Sequence, residues 1–83
     1  MAEFDRADTF AKVADIISNK LSVEKHLVSE AATLQDLGAD SLSTFEVILK
    51  FQDVFGIEID DDTADNLSSV GQAVNYIHSR RTK

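Results

Sequence analysis

No cysteine occurs in this chain. That excludes disulfides, thiolate metal sites and a side-chain thiol nucleophile, so any thiol chemistry would need an imported thiol. Tryptophan is missing as well, and the aromatic residues are only five Phe and one Tyr. A core drawn from 83 residues is therefore small and mostly aliphatic, with little room for a deep catalytic pocket. With no proline, no internal repeat and no low-complexity tract, nothing divides the chain, and residues 1–83 read as a single domain. No apolar run approaches the roughly 20 residues that a membrane span needs. The N-terminal "MAEFDRADTF" also lacks a basic region followed by an apolar segment, so the chain reads as soluble and unexported. Basic residues are scarce in its middle. From residue 26 to 79 ten acids (Glu30, Asp36, Asp40, Glu46, Asp53, Glu58, Asp60, Asp61, Asp62 and Asp65) face one base, Lys50, a net −9 within a chain of net −7. Nucleic acid is a poor partner for such a surface. Two readings of it fit: a solubilising face, or a field that steers basic partner proteins.

The apolar residues that are present carry helical periods. Phe10, Val13, Ala14, Ile17 and Leu21 recur at i, i+3, i+4, i+7 and i+11, predicting an amphipathic helix that Asp8 or Thr9 is able to cap. "SVEKHLVSEAATLQDLG" lacks a sustained period and reads as a long loop with one turn near Leu34, pinned to the core by Val23, Leu27, Val28, Leu34 and Leu37. A second helix is predicted from about Ser41 to Phe55, ending before Gly56, which suits a left-handed cap. Ile57 and Ile59 alternate like a strand but have no strand to pair with, so a connector and a turn of helix near Thr63–Leu67 follow. Ser69 and Gln72 have capping-box spacing for a last helix, with Val70, Ala73, Val74 and Ile77 facing inward. Arg80, Arg81 and Lys83 complement the negative end of that helix. The expected fold class is all-α: a small bundle of three main helices plus one short helix, with a long loop between the first and second.

Placed at about 100° per residue, the second helix has two apolar arcs. Val47, Ile48, Phe51, Val54 and Phe55 fill one wide enough to be the core face. Leu42, Phe45 and Leu49 fill another, flanked by Glu46 and Asp53. Either the long loop covers this second strip, or it is an exposed docking surface with a carboxylate rim. At its start lies Ser41, with three possible roles. A catalytic nucleophile would need a nearby base and an oxyanion hole. The only histidines, His26 and His78, come with no nucleophile elbow. A helix cap is the second role, one that Asp40, or Ser43 with Glu46, performs as well. The third is an attachment point, an exposed hydroxyl modified by a partner enzyme at a helix start, where backbone amides favour an anionic phosphodiester.

"DLGADSL" followed by an apolar and acidic helix resembles the acyl carrier protein family, in which this serine bears covalent 4′-phosphopantetheine. The likeness runs through "LQDLGADSLSTFEVI", "FGIEIDDDTADNL" and "SSVGQAVNYI", in family order. It implies that Ser41 is the prosthetic-group site, Asp40 the adjacent acid, and Leu42, Phe45, Glu46, Leu49 and Asp53 the partner-facing positions. It also implies a carrier and no catalytic residue: acyl groups ride as thioesters on the cofactor's thiol, which answers the missing cysteine. Implied partners are a phosphopantetheinyl transferase and the acyl-transfer, condensing, reducing and dehydrating enzymes of fatty-acid synthesis. The implied state is a cytoplasmic monomer, with an organelle matrix as the other compartment. Met1 and the short basic tail point to a freestanding protein rather than a module of a megasynthase. Ser43, Lys50 and Gln52 depart from the more acidic pattern of fatty-acid members, and Asp60 stands where a proline is frequent. These departures fit a specialised carrier for a polyketide or dedicated lipid pathway.

Two readings stand outside the family. One is a cofactor-free acidic interaction module that uses the same helix face. The other is a calcium-binding helix pair around "DDDTAD", which lacks the glycine at the sixth position of such a loop and the glutamate at its twelfth. No metal site is expected.

Overall fold

The computed structural model describes residues 4–67 and 69–83. Within them the chain forms helices α1 (Arg6–Leu21), α2 (Ser41–Phe55), α3 (Asp61–Asn66) and α4 (Val70–Arg80), with a 3₁₀ turn at Lys25–Leu27 and no strand. The all-α expectation therefore holds. α1 packs against both α2 and α4. Their inner faces close on Val13, Ala14, Ile17, Val47, Phe51, Phe55, Val70, Val74 and Ile77, each almost wholly buried.

α1 begins earlier than its apolar period suggests. Asp5 is the N-cap residue, its carbonyl accepting from Thr9 N–H at 3.1 Å, so neither Asp8 nor Thr9 is a cap. Both are turned instead toward the C-terminus of the chain. Arg81 has a side chain only 2% exposed, and its Nη1 donates to Asp8 Oδ2 at 3.1 Å and to Thr9 Oγ1 at 2.8 Å. The guanidinium lies over the rings of Phe4 and Phe55, with its carbon 3.8 and 4.9 Å from their centroids. A buried cation that is both paired and stacked is tolerable where a bare one is not. Arg81 thus joins the two ends of the chain, and its charge is spent there rather than in solvent beside the α4 terminus.

The long loop follows its pattern with one exception. Val28 is buried and Val23, Leu34 and Leu37 pack against the core, but Leu27 on the 3₁₀ turn is 50% exposed. The predicted turn at Leu34 is fixed reciprocally: Thr33 N–H donates to Asp36 Oδ2 at 3.2 Å, and Asp36 N–H to Thr33 Oγ1 at 3.0 Å. The loop also caps α4. Val70 N–H and Gly71 N–H, which have no acceptor within their own helix, donate to the carbonyls of Ala32 at 2.8 Å and Glu30 at 2.9 Å. A Cβ on Gly71 would stand 3.1 Å from the Glu30 oxygen, so glycine permits this approach. Arg6 holds Glu30 in place through two N–H donors at 2.6 and 3.0 Å.

The remaining boundaries are local. Gly56 ends α2 in the left-handed region, φ 65°, and donates its N–H to the Gln52 carbonyl at 3.0 Å. α3 starts two residues before the expected turn of helix, because Asp60 caps it by accepting Thr63 N–H at 2.7 Å. Ser69 Oγ caps α4 as its spacing predicts, accepting Gln72 N–H at 3.2 Å.

Candidate functional site

The turn before α2 aims the start of the helix outward. Gly38, at φ 91°, reverses the chain where an L side chain would be strained. Ala39 N–H then closes on the Leu34 carbonyl at 2.9 Å. Asp40 follows in extended conformation as the N-cap, its Oδ1 accepting Ser43 N–H at 2.8 Å and its carbonyl accepting Thr44 N–H at 2.9 Å. Hydrogen bonding from the Ser43 backbone, then from its hydroxyl, holds the Asp40 carboxyl below the usual carboxylate range.

With capping done by Asp40, Ser41 is left over. It is the first residue of α2, exposed, and its hydroxyl makes no hydrogen bond among the described residues. Neither histidine supports it as a nucleophile. His78 Nδ1 shares a hydrogen bond of 2.9 Å with Thr9 Oγ1, His26 faces Glu24, and neither borders the cleft at Ser41.

That cleft is a feature the periodicity did not announce. It runs between α2 and α3 with an open volume of about 810 Å³, walled by Ser41, Phe45, Ile48 and Gln52 on one side and Ile59, Ala64 and Asp65 on the other. At its inner end Ile59 N–H donates to Gln52 Oε1 at 3.1 Å, tying the connector before α3 to α2. Beneath it, a void of about 20 Å³ touches Ile48, Phe51, Ala64 and Val70 in the core. Gln52, Ile59 and Ala64 were not evident as site residues. The local signal was the Asp60-x-x-Thr63 cap, which fixes where α3 begins and so forms the second wall.

The second apolar strip of α2 is bare. Leu42, Phe45 and Leu49 are 67%, 55% and 47% exposed, whereas Val47, Ile48, Phe51 and Phe55 on the other arc are buried. The loop does not cover the strip, since Leu34 and Leu37 turn to the core instead. Glu46 and Asp53 are exposed beside it and line, with Lys20, Leu49 and Lys50, a shallow groove of about 260 Å³. Leu42, Phe45, Glu46, Leu49 and Asp53 thus share one exposed face that begins at Ser41. Elsewhere, Asp60 of the "DDDTAD" run is spent on capping, and no group of acids or histidines converges as a metal site among the described residues.

Residues 11–77 match a family model described as a phosphopantetheine attachment site. An acyl carrier protein of Thermotoga maritima is 42% identical over 76 residues, covering 90% of this chain and 94% of its own. Among solved structures, the thermally stable acyl carrier protein of Enterococcus faecalis superposes with a TM-score of 0.77 at 42% identity, over 92% of this chain and 98% of that one. A free-standing peptidyl carrier protein from a secondary metabolic pathway of Acinetobacter baumannii reaches 0.78 at 17% identity, over 90% and 94% of the two chains, a likeness of fold alone. The helical bundle, the motif around residue 41 and the extent of these matches together establish that the chain belongs to the acyl carrier protein family, whose members are carriers with covalently bound 4′-phosphopantetheine and not enzymes.

Proposed function

We propose that Ser41 bears the phosphopantetheine arm and that the chain, acting as a single domain over residues 1–83, carries acyl intermediates of fatty-acid synthesis. The observation that carries this reading is the unengaged Ser41 hydroxyl at the start of α2, with Asp40 already serving as the cap. The residues present suit the group: an exposed hydroxyl, a helix start that favours a phosphodiester, and a cleft at hand that Phe45, Ile48, Ile59 and Ala64 help to line. When bound, the arm supplies the thiol that the sequence lacks, and acyl groups are held on it as thioesters.

Attachment needs a phosphoryl transfer from a coenzyme A donor. The Ser41 Oγ–P bond would form as the donor's pyrophosphate P–O bond breaks and adenosine 3′,5′-bisphosphate leaves, the hydroxyl proton passing to a base on the transferase, since no histidine or lysine lines the cleft here. Leu42, Phe45 and Leu49 offer partners an apolar contact, with Glu46 and Asp53 as an anionic rim. We assign this face to the transferase and to the acyl-transfer, condensing, reducing and dehydrating enzymes, which a monomeric carrier meets in turn. A bacterial relative supports a cytoplasmic location. The cleft would shelter the acyl chain, because Phe45, Ile48, Ile59 and Ala64 offer it apolar surface. Lys50 beside the strip, with Lys20 across the groove, favours a second version of the reading: a carrier for a dedicated lipid or polyketide pathway, whose enzymes match this cationic flank with an acid.

The test is loading. Incubated with coenzyme A and a phosphopantetheinyl transferase, the wild-type protein should gain the mass of one phosphopantetheine. Ser41→Ala should gain nothing while melting within about 0.5 kcal/mol of wild type, as an exposed substitution without lost contacts does. A mass gain on the alanine variant would remove the assignment.

A further inference from the structure

Gln52 stands eleven residues beyond Ser41 on α2, about 16 Å along the helix axis, at the far end of the cleft from the serine. Its amide is half committed. Oε1 accepts the Ile59 N–H at 3.1 Å, and because that partner is a donor, the oxygen of the amide has to face it. The two Nε2–H donors remain without an acceptor among the described residues. The cleft wall there combines apolar Ile48, Ile59 and Ala64 with the carboxylates of Asp61 and Asp65 on α3, neither of which accepts from the amide.

Unspent donors on a fixed amide discriminate between ligands of equal size. A chain that brings an oxygen within reach gains a hydrogen bond; a saturated chain covers the donors and strips their water without replacing it. We propose that Gln52 is a specificity-determining residue that favours acyl groups bearing a keto or hydroxyl oxygen over saturated groups of the same length. The inference rests on the reading that Ser41 bears the arm and that the cleft shelters its cargo. The Ile59 hydrogen bond positions the amide for this work, and it also keeps the connector against α2 whether or not a chain is bound. These two roles separate by substitution. Gln52→Glu keeps an acceptor for Ile59 N–H and removes both donors.

The experiment loads wild type and Gln52→Glu with octanoyl and 3-oxooctanoyl groups on an amide-linked analogue of the arm, which cannot hydrolyse. In wild type, the Gln52 Nε2 proton and nitrogen resonances should move with the 3-oxo chain and hardly with the saturated one. The 3-oxo form should also melt higher by roughly 4 to 8 °C, the shift expected from one added net hydrogen bond in a domain of this size. In Gln52→Glu that difference should vanish, while the stabilisation given by octanoyl persists. Equal responses to the two chains in wild type, or a difference that survives in Gln52→Glu, would overturn the proposal. The wild-type resonances decide the matter even if the glutamate variant folds poorly. Failure to load at Ser41 appears first, as a missing mass gain, and removes the underlying reading and this one together. A loaded protein indifferent to the oxygen removes this one alone.

Discussion

Asp40 and Ser41 differ at the start of α2: one is the cap, the other carries a hydroxyl with no partner among the described residues. Asp40 accepts the Ser43 amide and so anchors α2, which leaves the neighbouring hydroxyl unengaged, as the proposed attachment requires. The division has a pH signature. Hydrogen bonds to the ionised carboxylates hold Asp40 and Asp60 below their ordinary value of 3.8, and Arg6 does the same to Glu30 from 4.5. A carboxylate depressed by folding stabilises the native state above its unfolded pKa, and this contribution is lost as pH falls through the folded pKa. The wild-type melting midpoint should therefore hold steady near neutrality and fall on acidification below about pH 4. Asp40→Ala should start lower and lose less over the same interval. Parallel curves from pH 6 to pH 3 would mean that the cap carries no titratable stability. Asp40 was readable as a cap, because cap and amide lie three residues apart. Arg81 was not: its partners Asp8 and Thr9 are more than 70 positions away in sequence, and no local pattern reports a contact of that range.

Among the helices, α2 has two apolar faces, one buried and one exposed. Phe51 and Phe55 are buried to within 1%, with ring centroids 6.4 Å apart. Truncating either to Ala should cost about 3 to 5 kcal/mol, a large share of the stability of a domain this small. Leu49 is half exposed on the opposite arc. Leu49→Ala should stay within about 1 kcal/mol of wild type yet slow arm loading and acyl transfer. Thermal melts and transfer rates on the same variants check both statements. A Leu49→Ala protein that melts as low as Phe51→Ala with normal transfer would make the strip part of the core. The bounds of α2 were legible because Asp40 and Gly56 act locally, and its two arcs because 15 residues sample the helical period fully. The start of α1 was misplaced because its first turn is held by α4 and the tail rather than by its own apolar period. Leu27 was misread as a core residue because composition cannot tell which way a loop turns. The cleft escaped notice for a related reason: it lies between two elements and belongs to the pattern of neither.

Over the whole molecule, charge is sorted. Of the ten acids between residues 26 and 79, only Glu30 is paired with a cation among the described residues, while Lys12, Lys25 and Arg81 pair with acids of α1. The α2 and α3 faces are left with mutually repelling carboxylates, which also supply a long-range field for basic partners. Melting midpoints should rise with modest salt or millimolar magnesium, and the rate of docking should fall as salt shortens the reach of that field to about 10 Å or less. A midpoint unchanged between low salt and added magnesium would show the acids to be too dispersed to repel.

The most direct measurement is tandem mass spectrometry of the protein purified from its natural host. One phosphopantetheine per chain is expected, localised to the peptide that contains Ser41, with a further acyl mass on part of the population. A chain from a host with active transferase that carries the mass on another residue would contradict the assignment to Ser41, and one that carries no such mass would leave an acidic interaction module in its place.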